Sequence, residues 1–169
     1  ETLNLWIVQG QIDFQARHID GLGNYTLFKE NEDAGNYHLN RWLNGGTGAL
    51  YPNLNTPDPV LAELFNDPRF RQAMSVAINR SEINEIVFSG LGEPRQASPI
   101  SGSTNFDAEF ETKWAEYDPD TANALLDEIG LTERDSDGFR LRPDGETLQV
   151  IITTRNADST QLELTKAYW

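Results

Sequence analysis

Three Asp-Pro steps, at Asp58-Pro59, Asp67-Pro68 and Asp118-Pro119, constrain this chain more than any other feature. Proline holds φ near the helical value and has no amide hydrogen to lose at the first helical position, while the preceding carboxylate accepts bonds from first-turn amides. Each step therefore predicts where a helix begins. Behind the second, Phe70, Met74, Ala77 and Ile78 fall at i, i+4, i+7 and i+8 and predict one buried stripe. Behind the third, Ala122, Leu125, Leu126 and Ile129 form the stripe of the clearest helix, with Gly130 at C′. Ser81 is expected to cap a further helix carrying Ile83, Ile86 and Val87, stopped by Gly90.

Elsewhere helical and extended periodicities alternate. Residues 1–10 predict a helix ending at Gly10, with Leu5 and Val8 on one face. Ile12, Phe14 and Ala16 alternate as in a short strand. A helix is expected over 21–34, before Gly35. Residues 37–43 and 49–54 predict a hairpin around the flexible Gly45-Gly46-Thr47-Gly48 turn. That turn is no phosphate loop, because the following Lys-Ser/Thr is absent. Residues 91–113 contain Gly92, Pro94, Pro99 and Gly102, lack periodicity and predict a long surface loop. Residues 139–142 and 147–154 predict strands joined by Pro143-Asp144-Gly145. Leu148, Val150 and Ile152 alternate, and Ile151 makes the second strand apolar on both faces, as inside a sheet. Asp158 or Ser159 is expected to cap a final helix carrying Leu162, Leu164 and Tyr168. The expected class is α/β (α+β), a mixed β-sheet flanked by helices.

The 169 residues leave room for one domain, and 38% hydrophobic content is enough for a core. Net charge is −14, from 27 acidic and 13 basic side chains. That field repels phosphate backbones and anionic lipid, so nucleic acid is excluded as a partner. With no cysteine, disulfides, thiolate zinc sites and a cysteine nucleophile are excluded. No apolar run reaches the ~20 residues that cross a bilayer, and no signal peptide is visible. A first residue other than Met, and an apolar helical face that runs to Ala167-Tyr168-Trp169, predict an excised piece of a longer protein.

The run from Asn66 through Asp67-Pro68-Arg69-Phe70-Arg71-Gln72-Ala73 to Ala77-Ile78-Asn79-Arg80 resembles the family-5 solute-binding proteins, the oligopeptide, dipeptide and nickel group. Their pattern is Asp-x-Arg-x-Arg-Gln-Ala, then Ala-Ile-Asp-Arg; here Asn79 stands where Asp is usual. Gly10-Gln11-Ile12-Asp13 is similar to the family's Gly-Glu-Ile-Asp segment, Gly90-Leu91-Gly92-Glu93-Pro94 to its Gly-x-Gly-x-Pro loop, and Tyr117-Asp118-Pro119 with Ala122, Leu125, Leu126 and Gly130 to its Tyr-Asp-Pro helix. The matches follow in order over nearly the whole chain. The resemblance implies one lobe of a type II periplasmic-binding-protein-like fold, with residues 1–169 a single truncated lobe (domain III) of a two-lobed parent that closes on ligand by a hinge.

Candidate contacts lie where strands end. Thr153, Thr154, Arg155 and Asn156 leave a strand for a helix N-terminus, whose free amides suit a carboxylate or hydroxyl; in peptide-binding relatives this segment resembles one that touches ligand. Arg17 and His18 leave the first strand in the same way, and arginine grips carboxylates bidentately. Asn55, beside Asn53 and Thr56, ends the strand at 49–54. Trp42 could floor a site for sugars or apolar peptide side chains. Arg69, Arg71 and Arg80 are expected to be structural, pairing with carboxylates or carbonyls around the helical block. Residues 133–144 nearly follow calcium-loop spacing, but Glu133 opens the run and Asp144 closes it, so a hairpin is preferred to a metal.

No nucleophile, base and acid can be ordered into a catalytic set. The resemblance implies the substrate-binding component of an ABC importer, with a peptide or oligosaccharide as ligand, permease subunits and the missing lobe as partners, no cofactor, no metal, a monomeric fragment and an extracytoplasmic parent. A sensory or chaperone-like module on the same fold is the alternative of another class.

Overall fold

A computed structural model of the chain describes residues 2–19, 21–42 and 49–153. The chain divides into two compact units, Glu1–Asn44 and Gly45–Trp169.

In the first unit, α1 (Thr2–Val8), α2 (Tyr25–Glu30) and α3 (Glu32–Gly35) pack on one another, and Phe28 of α2 is fully buried. Gly10 ends the first helix at φ +67°, as the sequence predicts. A Cβ on Gly10 would collide with the Gly35 carbonyl, and one on Gly35 would come within 2.6 Å of the Tyr37 ring and 2.8 Å of the Val8 carbonyl. Both close approaches require glycine. The helix expected over 21–34 is split at Asn31, whose side chain donates to the Leu27 carbonyl at 2.8 Å. Gly35 lies inside α3, and Asn36 supplies the left-handed C-cap at φ 50°.

In the second unit the Asp-Pro steps open helices. The Asp58 carboxylate accepts from the amides of Val60 (2.9 Å) and Leu61 (3.0 Å) to start α4 (Pro59–Asn66). Asp67 accepts from the Arg69 amide at 2.8 Å to start α5 (Pro68–Val76). Asp118 accepts from the Thr121 amide at 2.9 Å to start α8 (Pro119–Glu128). Between them lie α6 (Arg80–Phe88) and α7 (Ala108–Thr112). The cap of α6 is Asn79, not Ser81: its side chain accepts from the Glu82 amide at 3.1 Å and donates to the Glu82 carboxylate at 3.0 Å. Asparagine caps as well as aspartate does, so the departure at this position keeps the helix start. Residues 91–113 are not all loop. Asp107 caps the short α7, a single turn set by its cap and too short to show periodicity.

The core has two linked parts. Leu64, Phe65, Phe70 and Leu131 form one, with the Phe65 and Phe70 rings 5.8 Å apart. Ala73, Val76 and Ala122 form the other, with Trp114 and Leu125 against it. The stripe expected on α5 is therefore corrected. Phe70 is buried, but Ala73 and Val76 are buried where Met74 and Ile78 are only half so, and Ala77 is exposed. Two neighbours approach the helix from different sides, and periodicity alone cannot say which side each takes.

Extended structure is sparse among the described residues. The hairpin about Pro143-Asp144-Gly145 forms: Arg142 donates from its amide to the Glu146 carbonyl at 2.7 Å, and Leu148 to the Arg140 carbonyl at 2.7 Å. A third segment joins it, since the Leu141 amide donates to Glu133 at 2.8 Å and the Asp135 amide to Phe139 at 2.8 Å. These three make isolated antiparallel bridges, Arg134 with Arg140 and Leu141 with Thr147, and no longer ladder. Residues 11–16, 37–42 and 49–54, expected as strands, are irregular. Alternation specifies which face a strand would bury, but a strand persists only beside a partner. The turn at 43–48 and the final helix fall outside the described residues.

Two outcomes test this packing. Phe70→Ala, at 2% exposure, is expected to cost about 3–5 kcal/mol in urea unfolding, whereas Ile86→Ala, at 61%, stays within about 0.5 kcal/mol. The capping carboxylates set the acid response. Asp118 is held below the usual carboxylate range by the hydroxyl and amide of Thr121, Asp67 by the guanidinium and amide of Arg69, and Asp58 chiefly by the Leu61 amide, then by Arg142. A lowered folded value means their contribution is complete above the ordinary aspartate pKa of about 3.9 and is lost as pH falls through the lowered values. Asp118→Asn keeps a capping side chain and removes one titrating group, so the drop in urea midpoint between about pH 6 and about pH 3 should shrink.

Candidate functional site

The residues that carry the sequence motif are used up in holding the fold. Arg69 pairs with Asp67 at 2.7 Å and reaches Glu128 at 3.4 Å. Arg71 donates to the Phe65 carbonyl at 2.6 Å. Arg80 donates to the Ser75 carbonyl at 2.7 Å, the Ser75 hydroxyl at 2.8 Å and the Ala115 carbonyl at 3.2 Å. The Gln96 amide joins the same knot, donating to the Ser75 hydroxyl and to the Trp114 carbonyl, both at 2.9 Å. Trp114 is held there at φ 59°, a backbone conformation that costs a bulky residue energy and is paid for by these bonds. The structural reading of the three arginines holds.

The Asp135 carboxylate is also committed within its hairpin. It accepts from the Thr147 hydroxyl (2.8 Å) and from the amides of Phe139 (2.9 Å) and Asp137 (3.0 Å), and the hydroxyl first, then the amides, hold it below the usual carboxylate range. Arg142 bridges Asp144 at 2.6 Å and Asp58 at 2.8 Å, tying the hairpin to the start of α4. Arg140 is buried, donating to Asp127, to the Asn123 side chain at 2.7 Å and to the Leu131 carbonyl.

The predicted ligand residues lie elsewhere and are exposed. In the first unit, residues 13–18 bend, and the Gln15 side-chain amide donates to the Arg17 carbonyl. Arg17 and His18 both face solvent, His18 at φ 58°. Trp42 is 70% exposed and its ring lies 6.4 Å from that of Phe14, itself 73% exposed, at an interplanar angle of 34°. The alternation of Phe14 with Ile12 in the sequence carries no signal that Phe14 stands beside Trp42. In the second unit, Asn55 sits in a turn where its amide donates to the Asn53 side chain at 3.1 Å, and Thr153 is exposed at the end of an extended segment. Thr154, Arg155 and Asn156 lie outside the described residues. Among the described residues no hydrogen bond or ion pair joins Arg17, His18 and Trp42 side chains to one another, or Asn55 to Thr153.

The second unit also holds an apolar cavity of about 320 Å³ between α5, α8 and the hairpin, with Met74, Ile78, Leu126, Leu148 and Val150 in its wall. Among the described residues no serine or threonine hydroxyl is hydrogen-bonded to a histidine. The exposed groups offer non-covalent contacts: an aromatic pair suits apolar groups, and a guanidinium such as that of Arg17 suits carboxylate or carbonyl oxygens.

Comparison with known proteins defines the class as a solute-binding module with the fold of periplasmic binding proteins. The chain belongs to the bacterial extracellular solute-binding proteins, family 5, matching the family over residues 5–169. A solved structure, the oligopeptide-binding protein OppA, is 52% identical, with a TM-score of 0.73 over 86% of this chain and 24% of its own. A probable ABC transporter-binding protein of Deinococcus radiodurans is 31% identical over 107 residues, 63% of this chain and 18% of that protein. The glutathione-binding protein GsiB of Pectobacterium atrosepticum is 35% identical over 71 residues, 42% of this chain and 13% of its own. The chain thus spans less than a quarter of each of these relatives.

Because Trp42 is so exposed, Trp42→Ala should shift the urea midpoint by less than about 0.5 kcal/mol equivalent, while the acrylamide-accessible part of the tryptophan emission falls.

Proposed function

We propose that the parent protein is the substrate-binding component of an ABC importer and captures an extracellular peptide without covalent chemistry. The observation that carries this reading is the 52% identity, over 86% of the chain, to a protein named for oligopeptide binding. The glutathione-binding name of a second relative points to the same chemical class. In this reading a mixed sheet flanked by helices completes the lobe, with residues 139–142 and 147–153 among its strands. Ligand lies in a cleft between this lobe and an opposing one. Thr153, Thr154, Arg155 and Asn156 offer hydroxyl, guanidinium and amide groups to peptide carbonyls and the carboxylate; Arg17, His18 and Asn55 add polar contacts; Trp42 covers an apolar side chain. Closing the lobes excludes water, which strengthens each of these bonds. The protein works outside the cytoplasmic membrane, as a monomer, and hands its ligand to permease subunits.

Isothermal titration of the full-length protein with a peptide panel, and with oligosaccharides as comparison, tests this. Peptides are expected to bind, and residues 1–169 alone, offering part of a cleft, should bind at least about 100-fold more weakly. Trp42→Ala should weaken peptides with apolar side chains about 10-fold in the full-length protein. Tighter binding of the sugars, hydrolysis of the peptides, or equal affinity of the short chain would overturn the proposal.

A further inference from the structure

In the first unit two arms leave one close contact and meet again at their aromatic side chains. The backbones of Gly10 and Gly35 approach so closely that neither has room for a Cβ. From Gly10 the chain runs to Phe14, and from Gly35 to Trp42, and the two rings lie 6.4 Å apart at 34°. Each arm is fixed near its root. The Gln11 amide donates to the Trp6 carbonyl at 2.8 Å. The Tyr37 hydroxyl donates to the Phe28 carbonyl, and the Leu39 amide to the Glu32 carboxylate. The rings themselves gain little burial. At 73% and 70% exposure they are the most exposed large apolar side chains of the first unit among the described residues, whereas Phe28 is buried. Two rings held on anchored arms and left open to solvent are a preformed surface, which binds at little ordering cost.

The spacing of the pair selects its occupant. A third ring set against both meets each at the ~4.5–7 Å where ring quadrupoles attract, and so gains beyond the area it buries. An aliphatic group gains the area alone. A cation would also suit a ring face. Histidines aside, however, the charged side chains within 11–18 and 37–42 are Arg17, Arg41 and Asp13, all exposed, and their excess of positive charge opposes one. We propose that Phe14 and Trp42 together form a subsite for an aromatic side chain of the peptide, with Phe14 setting the preference for aromatic over aliphatic groups. The proposal rests on the reading of the parent as a peptide binder.

Isothermal titration of the full-length protein decides it. The probes are trialanine, and trialanine carrying one phenylalanine or one cyclohexylalanine at each position in turn. Cyclohexylalanine has the same ring size and is the more apolar, so burial alone favours it. In the unsubstituted protein, phenylalanine at one position is expected to bind about 10-fold more tightly than cyclohexylalanine. Phe14→Leu should bring the two within about 2-fold, and should weaken the phenylalanine peptide at least about 5-fold more than trialanine. No preference at any position, a preference that survives Phe14→Leu, or an equal loss for trialanine would sink the proposal and leave peptide binding in place. Failure of every peptide to bind would remove the peptide reading, and this subsite with it.

Discussion

The second unit is organised around the contact of α5 with α8. Ala73 and Val76 on one helix meet Ala122 on the other, and side chains this small let the backbones come close enough for the Asp118 amide to donate to the Val76 carbonyl at 2.8 Å. That bond places the Asp-Pro step at the end of the neighbouring helix. Everything else attaches to this pair. Leu131, just past α8, fills the gap beside Phe65 and Phe70; Arg140 brings the hairpin back onto α8; and Ser75, Arg80 and Gln96 hold the loop that carries Trp114. Adding volume at this contact would push the two helices apart and loosen the elements hung from them.

Charge in this chain has two separate uses. The carboxylates that head α4, α5 and α8 are bound to amides, and the arginines of the motif are bound to carbonyls and carboxylates. The family pattern is thus written mainly in residues that build the helical block. It identifies the family, and the ligand contacts proposed above at Trp42, Arg17 and Asn55 lie outside it.

Much of the helical framework was legible in the chain of letters. An Asp-Pro step sets a helix start through local chemistry alone, a fixed φ and a carboxylate within reach of two amides, so α4, α5 and α8 begin where expected. Gly10 and Gly130 mark helix ends for the same local reason, each at positive φ. The sequence does not mark Asn79 as the cap of α6, because Ser81 is also a good cap and only the bond to the Glu82 amide distinguishes them. The aromatic pair of Phe14 and Trp42 could not be read at all, since the two are far apart in sequence and share no periodic element.

The sequence by itself determined where the three Asp-Pro helices begin and to which family the chain belongs, because each of these depends on neighbours a few residues apart or on ordered short motifs. Tertiary structure alone decided which side of α5 is buried, which arginine reaches which carbonyl, and how little of the extended sequence finds a partner. Burial and strand pairing are set by segments distant along the chain, and a row of alternating side chains carries no record of what lies across from it.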